Sequence, residues 1–205
     1  MNQEVVLVPG LWMPGAAMAL IAARLAGRGY RARTFAYSGR QPHEANLERL
    51  ARFVRERCED RSPHFVGHSL GGVLIYDLLE RCRELAAGRV VLLGAPVRGC
   101  FAGRRFGARA IGRWMLGACA PRWEKREARW QRPEPLGVIA GTLPLGLGRA
   151  FGALPGENDG VVCVEETLVE GMADHALVRA GHSMLAVSGR VAVLVEHFLR
   201  AGRFS

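Results

Sequence analysis

Short apolar runs alternate with longer amphipathic stretches along the chain, and this alternation predicts strands and helices in turn. The predicted strands are residues 5–8, 31–37, 64–67, 90–93, 138–142 and 176–180. The predicted helices are residues 16–26, 42–58, 70–85 and 184–200. The strands are apolar on both faces, as parallel strands covered by helices require. The pattern therefore predicts an α/β fold, a three-layer sandwich in which helices flank a mostly parallel sheet of about six strands.

Length and composition limit the architecture further. The chain has 205 residues, of which 49% are hydrophobic and 23% charged, and this size and balance predict one domain over 1–205 with a sizeable core. No uninterrupted apolar run reaches the roughly 18 residues of a membrane span. The first four residues lead directly into a strand rather than into a secretory signal. We therefore expect a cytoplasmic location.

The cysteines favour a reduced environment. Their number is odd and they are scattered, without a CxxC pair, at Cys58, Cys82, Cys100, Cys119 and Cys163. This spacing is typical of free thiols rather than of a disulfide framework. It gives no support to a metal site either.

Positive charge is concentrated in one segment. The chain has 28 Lys and Arg against 19 Asp and Glu, a net charge of +9. Residues 98–132, which we call the basic segment, hold ten of these cations against Glu124 and Glu127 and so contribute +8. Three of the four tryptophans also lie there, at Trp114, Trp123 and Trp130.

Two interpretations of the basic segment stay open. It is either a solvated cationic face over core tryptophans, or a small lid that meets acidic substrates or an anionic membrane surface. No helix-turn-helix, zinc-finger or RNA-binding strand motif accompanies the charge, so we expect no nucleic-acid partner. The sequence gives no indication of the oligomeric state.

A Gly-x-Ser-x-Gly motif lies between the third predicted strand and the helix that follows it. It reads Gly67-His68-Ser69-Leu70-Gly71. A serine at the apex of so tight a turn needs neighbours without side chains, because the strand and the helix pass close together. The serine also precedes a helix N-terminus, where free amides favour developing negative charge. The motif indicates a nucleophile elbow; the competing interpretation is a glycine-rich turn with a helix-capping serine.

With this motif in this setting, the chain resembles the α/β-hydrolase superfamily, specifically its small, lipase-like members without a large cap domain. The resemblance implies a Ser-acid-His order along the chain, with the acid and the histidine downstream of Ser69. His182 follows the last predicted strand and precedes the closing helix, so it lies on a loop from which a base can reach Ser69. His175 would fall at the opposite end of that strand, and His197 lies inside the helix.

The resemblance leaves few candidates for the acidic residue that would orient the histidine. Asp159, after the fifth predicted strand, is the candidate, because residues 94–123 contain no Asp or Glu at the alternative position after the fourth strand. Glu157 is a neighbouring competitor, and Asp174 lies too close to the final strand. The Asn-Asp-Gly sequence around Asp159 also has a simpler interpretation as loop chemistry.

The resemblance also implies an oxyanion hole made of main-chain amides. One donor is the N–H of Leu70, directly after the nucleophile, and the other is the N–H of Leu11 in the loop after the first strand. Pro9 stands where the family usually has a histidine, a departure that affects loop orientation more than the amide chemistry. Trp12 and Met13 follow, and they either line a substrate pocket or are ordinary packing residues.

These expectations define a reaction. They point to a serine-dependent carboxylic ester hydrolase, an esterase or lipase acting through an acyl-enzyme on a small-molecule or lipid ester, with no cofactor and no metal. A thioesterase or an acyltransferase would use the same residues. A non-catalytic scaffold that binds a ligand or a partner is the alternative from another class.

Overall fold

The computed structural model describes residues 3–59, 62–118, 124–146 and 153–205. Six strands form one sheet: β1 (Glu4–Val8), β2 (Arg31–Thr34), β3 (His64–His68), β4 (Val90–Leu93), β5 (Leu136–Gly141) and β6 (Asp174–Val178). All neighbouring strands are parallel, in the order β2-β1-β3-β4-β5-β6. The predicted α/β class and six-stranded parallel sheet are confirmed.

Helices connect the strands on both sides of the sheet. In the described residues they are α1 (Ala19–Ala26), α2 (His43–Arg57), α3 (Leu70–Arg81), α4 (Phe101–Gly107), α5 (Ala110–Leu116), α6 (Val164–Thr167), α7 (Met184–Val187) and α8 (Gly189–Ala201). A 3₁₀ turn over Gly15–Met18 precedes α1, so the predicted helix 16–26 is shorter than expected. The predicted helix 70–85 likewise ends early, at Arg81.

Alternate residues of the central strands enter two separate cores. In β1, Val5 and Leu7 pack with α1, α7 and α8, whereas Val6 and Val8 pack with α2 and α3. The same alternation recurs in β3 to β5, because successive side chains of a strand point to opposite faces. Each face of the sheet is thus covered by helices, and the predicted three-layer arrangement is confirmed.

The edge strands depart from the expectation that every strand is apolar on both faces. β2 ends at Thr34 rather than at residue 37, and all four of its residues are partly or fully exposed. β6 begins at Asp174, two residues before the predicted start, and only Val178 in it is buried. Both strands lie at the edges of the sheet, where only one neighbour strand protects them.

The predicted closing helix 184–200 is two helices. The chain leaves the helical conformation at Ser188, whose ψ is 127°, and the Ser188 hydroxyl accepts a hydrogen bond from the Val191 amide, 3.4 Å away. This is the arrangement of an N-cap, which begins a new helix. The break separates the short α7, close to His182, from the long α8 that packs on the sheet.

Strand order fixes where a site can form. The chain passes from β1 outward to β2 and then returns to β3 on the other side of β1. In open parallel sheets this reversal leaves a crevice at the carboxyl ends of the two central strands, where ligands bind. The loops that follow β1 and β3 meet there: a Cβ added at Gly10 would lie 3.2 Å from the Cβ of Ser69.

Candidate active site

Ser69 occupies the strained apex between β3 and α3. Its φ is 53° and its ψ is −126°, a conformation that residues other than glycine rarely adopt. A Cβ added at Gly67 would lie 2.5 Å from the Cα of Gly72, and one added at Gly71 would overlap the carbonyl oxygens of Val8 and Pro9. The two glycines of the motif are therefore required by the close approach of strand and helix, as the sequence predicts.

Ser69, His182 and Asp159 lie in one hydrogen-bonded line. The Nε2 atom of His182 is 2.9 Å from the Ser69 hydroxyl oxygen, and its Nδ1 atom is 2.7 Å from an Asp159 carboxylate oxygen. The three residues come from the loops after β3, β6 and β5, which all open at the carboxyl edge of the sheet. His182 and Asp159 are buried, with 8% and 1% exposed.

The surroundings of Asp159 define the proton positions in this line. One carboxylate oxygen accepts hydrogen bonds from the amides of Val161 and Val162, at 2.9 and 2.7 Å. The other faces His182 Nδ1, and since an ionised carboxylate only accepts, Nδ1 carries the proton. The Nε2 atom of a neutral ring is then bare and accepts the hydrogen bond of the Ser69 hydroxyl. This is the tautomer that a general base requires.

A glycine that motif analysis does not reveal makes room for this line. Gly94, directly after β4, has a φ of 52°, and a Cβ there would lie 3.1 Å from an Asp159 carboxylate oxygen and 3.4 Å from His182 Nδ1. The sequence shows only a glycine after an apolar strand. Its contact with Asp159 becomes visible only when the loops are assembled.

The other predicted candidates have different contacts. His175 is the second residue of β6, close to the amino edge of the sheet, and its pKa is lowered by burial. His197, in α8, bonds through Nδ1 to the carbonyl of Arg203. Asp174 accepts from the amides of Phe204 and His175, and Glu157 is exposed. In the described residues, none of them is hydrogen-bonded to Ser69 or to His182.

The two amides predicted to bind an oxyanion come from the start of α3 and from the loop after β1. Leu70 begins α3, and the first amides of a helix have no acceptor within the helix. Leu11 is the second residue of a β-turn, which is closed by the Met13 amide donating to the Gly10 carbonyl over 3.2 Å. Trp12 is the third residue of this turn and has a φ of 61°, as a type II turn requires. The Leu11 amide is therefore not used by the turn itself.

His68 ties the elbow to the histidine loop. Its ring is 1% exposed, and its Nε2 atom donates to the main-chain carbonyl of His182 over 3.0 Å. Burial, reinforced by the charge of His182, lowers the pKa of His68 to about 3. His68 is therefore neutral at physiological pH, and its single N–H holds His182. The sequence identified His68 only as a member of the motif.

A cavity of about 590 Å³ borders the loop after β1, next to the elbow that carries Ser69. Its walls are the β1 loop, the β2 loop and the end of α5, and the lining residues include Trp12, Met13, Arg40, Trp114 and Met115. Gly10 is among the lining residues, and a Cβ added there would lie 3.2 Å from the Cβ of Ser69, so the cavity lies next to the elbow; Ser69, Leu70 and His182 are not themselves lining residues. Trp12 is 61% exposed, so it forms part of the wall and is not a core residue. A volume of this size is typical of a small-molecule site.

The first half of the basic segment forms α4 and α5 and carries an exposed apolar face. Ile111, Trp114 and Met115, spaced as neighbours on one side of α5, are 58%, 70% and 41% exposed. Trp114 and Met115 also line the cavity. The interpretation that the tryptophans of this segment are core residues is therefore wrong for Trp114, while Trp123 lies outside the described residues.

The second half of the basic segment is fixed to the protein core. Arg126 pairs with Asp77 of α3 at 2.8 Å, and Arg132 donates to the carbonyls of Leu79 and Leu85 at 2.8 Å each. Trp130 is 6% exposed. Here the tryptophan is a core residue, as that interpretation expects, but Arg132 is itself buried, with 4% of its side chain exposed, and so is not part of a solvated cationic face. The two halves of the segment thus have different structural roles.

The described residues hold no cluster typical of a metal site and no membrane-spanning helix. Across residues 3–59, 62–118, 124–146 and 153–205, no group of three or more His, Cys, Asp or Glu side chains is arranged to hold a metal ion. Four cysteines are free thiols, and Cys119 lies outside the described residues. In the same ranges no helix is both long and apolar enough to cross a membrane.

The chain matches a known protein family over most of its length. Residues 5–198 match the model of the alpha/beta hydrolase family, so the chain belongs to that family. This confirms the resemblance to the α/β-hydrolase superfamily, which was expected to cover nearly the whole chain. A search of curated protein sequences finds no match.

Solved structures with the same fold include three hydrolases. A lipase from Bacillus licheniformis has a TM-score of 0.70 at 16% identity, covering 90% of this chain and 47% of the lipase. A metagenomic carboxyl esterase has a TM-score of 0.63 at 20% identity, covering 88% and 64%. A meta-cleavage product hydrolase from Pseudomonas fluorescens has a TM-score of 0.67 at 15% identity, covering 97% and 91%. The chain spans about half of the lipase and less than two thirds of the esterase, and at these identities the likeness shows the fold alone.

Proposed function

We propose that the protein is a serine hydrolase that cleaves carboxylic esters, with Ser69 as nucleophile, His182 as general base and Asp159 as the carboxylate that orients His182. The hydrogen-bonded line through these three residues, with distances of 2.9 and 2.7 Å, carries the proposal. Membership of a hydrolase family supports it. The names of two neighbours, a lipase and a carboxyl esterase, favour esters over other acyl substrates.

The first half-reaction forms the acyl-enzyme. The Ser69 oxygen attacks the ester carbonyl carbon while His182 Nε2 takes the hydroxyl proton. The carbonyl oxygen becomes an oxyanion, which the amides of Leu70 and Leu11 stabilise by hydrogen bonds. The carbon–oxygen bond to the alcohol then breaks, and His182 gives its proton to the leaving alcohol.

The second half-reaction releases the acid. His182 takes a proton from water, which attacks the acyl carbonyl, and the same amides stabilise the second oxyanion. The bond to Ser69 breaks and the proton returns to its oxygen. Both halves transfer only protons and an acyl group, so the proposed reaction requires neither a redox cofactor nor a metal ion.

The proposal is tested with Ser69→Ala and a matched serine variant. Ser188→Ala removes a hydroxyl at another helix N-terminus, the cap of α8, and should retain full activity with a small loss of stability. Ser69→Ala should keep the fold, followed by circular dichroism, and abolish hydrolysis of p-nitrophenyl esters. Retained turnover in Ser69→Ala would contradict the assignment of the nucleophile.

The same assay separates the reactions that share these residues. A panel of esters and thioesters with equal acyl chains of graded length compares kcat/KM for the two leaving groups. A clear preference for thioesters would identify a thioesterase, and transfer to an added alcohol in place of water would identify an acyltransferase. We expect the oxygen esters to be preferred.

A further inference from the structure

The cavity beside Ser69 is built from two stretches of chain that contain no acidic side chain. Residues 5–43 include the β1 and β2 loops and hold five arginines but no Asp or Glu. Residues 94–123 include α5 and hold six arginines, again without an acid. Surroundings that carry one sign of charge raise the local concentration of ligands of the opposite sign. Arg24, Arg28, Arg31 and Arg33 pair with Glu196, Glu59 or Glu4 from elsewhere in the chain. Of the five arginines in residues 5–43, Arg40 is therefore the one that gives the cavity a positive charge for an anionic ligand.

Arg40 brings this charge to the cavity wall. Of the described residues that line the cavity, it alone is charged. Its guanidinium lies 6.0 Å from the centre of the Trp114 ring, and no carboxylate of the described residues forms an ion pair with it. Other arginines are already paired: Arg33 lies 2.6 Å from Glu4, and Arg126 lies 2.8 Å from Asp77. Arg40 thus retains donors for a ligand.

The position of Arg40 is supported by the end of α5. Gly117 follows this helix with a φ of 56°, and a Cβ there would lie 2.9 Å from the Gly39 carbonyl oxygen and 3.4 Å from the Arg40 Cα. The end of α5 therefore rests directly on the β2 loop. This contact joins Arg40 and Trp114 in one wall of the cavity, next to the apolar side chains of Trp12 and Met115.

We propose that the substrate is an ester that carries an anionic group, a carboxylate or a phosphate, and that Arg40 binds this group while the apolar walls contact the hydrocarbon part. The proposal rests on the proposed function, because it assigns a substrate class to the same site. A guanidinium binds carboxylate and phosphate oxygens through two parallel N–H donors, which gives both affinity and orientation. Arg40 is then a specificity-determining residue.

The test compares one neutral and two anionic esters. The neutral ester is p-nitrophenyl butyrate; one anionic ester is the mono-p-nitrophenyl ester of glutaric acid, and the other is the butyrate ester of 4-hydroxybenzoate. The two anionic esters place the carboxylate on the acyl side and on the alcohol side. Arg40→Gln removes the cation from the cavity, and Arg52→Gln is the matched control, since Arg52 is exposed on α2 and lines a different groove.

The expected result is a selective loss. Arg40→Gln should lower kcat/KM for at least one anionic ester by about tenfold or more, while the value for the neutral ester changes less than about twofold and Arg52→Gln leaves all three unchanged. Raising the salt concentration should reduce the preference of the wild-type protein for that anionic ester. An equal effect of Arg40→Gln on all three esters, or no effect on any, would overturn the proposal.

A binding measurement separates this proposal from the proposed function. Trp12 and Trp114 line the cavity, so fluorescence should report binding of the intact anionic ester to Ser69→Ala, and the added Arg40→Gln change should weaken this binding about tenfold. Turnover by Ser69→Ala would contradict the proposed function. Ser69-dependent hydrolysis with no effect of Arg40 on kinetics or binding would overturn only the substrate class.

The anionic group can belong to a soluble ester or to a lipid headgroup, and vesicles distinguish these sources. Wild-type protein and Arg40→Gln are sedimented with phosphatidylglycerol vesicles and with phosphatidylcholine vesicles. Binding to the anionic vesicles that requires Arg40 assigns the group to a headgroup, and absence of binding assigns it to a soluble ester. Binding that does not depend on Arg40, together with unchanged ester kinetics, would overturn the proposal.

Discussion

The Nε2 atom of His68, the residue directly before the proposed nucleophile, donates a hydrogen bond to the main-chain carbonyl of His182 over 3.0 Å. The two rings also pack against each other, with their centroids 4.8 Å apart. Through this bond the elbow after β3 holds the loop after β6. The geometry points to His68 as a positioning residue that fixes where His182 meets Ser69.

Substitution of His68 should separate positioning from packing. His68→Ala removes the donor, and we expect kcat to fall about tenfold with little change in KM, because a small misplacement of the base affects the chemical step. His68→Gln keeps an N–H donor and should restore most of kcat. Steady-state kinetics with p-nitrophenyl butyrate measures both. Equal losses in the two variants would show that His68 acts only by filling space.

His68 also makes a pH-dependent contribution to stability. Burial lowers its pKa from 6.5 to about 3, so between these values the unfolded chain binds a proton that the folded protein excludes. Stability therefore falls as the pH drops from 6.5 towards 3, by on the order of 4 kcal/mol. Urea unfolding at several pH values should show a smaller loss for His68→Gln over this window. Parallel curves for the two proteins would contradict the buried, neutral state of His68.

Asp159→Asn tests the orientation of the proposed base. An asparagine can donate to His182 Nδ1, which would move the ring proton to Nε2 and leave no acceptor for the Ser69 hydroxyl. We expect kcat to fall by about three to four orders of magnitude, with little change in KM. Asp174→Asn is the control, because Asp174 accepts the Phe204 amide far along the chain from the elbow. Similar activities of the two variants would refute the role of Asp159.

Gly94→Ala should disturb the acid and the histidine together. The new Cβ would lie 3.1 Å from an Asp159 carboxylate oxygen and 2.8 Å from Leu185 Cδ1, and we expect activity to fall about tenfold or more. Gly29→Ala is the matched control for Gly94→Ala. Gly29 also has a positive φ, 85°, but a Cβ added there would have no atom within 4 Å. Both variants should lose about 1 kcal/mol of stability from the positive φ, and only Gly94→Ala should lose activity. Full activity of Gly94→Ala would show that the site tolerates this displacement.

Asp77 anchors the second half of the basic segment to α3 and α2. Its carboxylate lies 2.8 Å from Arg126 and 2.7 Å from His43. Burial alone would raise its pKa, but the His43 hydrogen bond and the Arg126 charge outweigh this and hold the pKa below 3.8. Its ionisation therefore stabilises the fold fully above pH 3.8, and the contribution is lost as the pH falls through the lower folded value.

Asp77→Asn should accordingly lower the free energy of unfolding by about 2 to 3 kcal/mol at pH 7, and the difference should shrink below pH 3.8. Glu80→Gln is the control: its partner Arg83, 3.2 Å away, is 52% exposed, and such surface pairs contribute about 0 to 1 kcal/mol. Denaturant unfolding at pH 7 and pH 3 measures both variants. Equal effects of the two substitutions would contradict a buried anchor.

The elements that the sequence predicts best are those with strong local signals. The elbow around Ser69 has a fixed motif. The strands β1, β3 and β4 are buried on both faces, so each appears in the sequence as a continuous apolar run that marks its position. His182 and Asp159 could be proposed because the resemblance to the α/β-hydrolases implies an acid and a histidine downstream of Ser69, and each of these two residues follows a predicted strand. The local sequence pattern was sufficient to predict those site residues that directly follow a strand.

Features that depend on contacts between distant parts of the chain could not be predicted from the sequence. β2 is exposed because it lies at the edge of the sheet. Its place there depends on the order of the strands in the sheet, which the hydrophobic pattern of the sequence does not show. The contacts of Gly94 and the bond from His68 to His182 join loops that are far apart in the chain. Trp114 and Trp130 lie in one basic segment, yet one is exposed and the other buried. In the part of the segment that the structure describes, the hydrogen bonds to α3 come from its second half.

Labelling with a fluorophosphonate, followed by intact-mass and peptide mass spectrometry, tests whether Ser69 is an activated nucleophile. A fluorophosphonate reacts with a serine whose hydroxyl is activated by a neighbouring base. We expect one label per chain, located on Ser69, absent in Ser69→Ala and strongly slowed in His182→Ala. An unlabelled wild-type protein, or a label on a different residue, would contradict the assignment of Ser69 as an activated nucleophile.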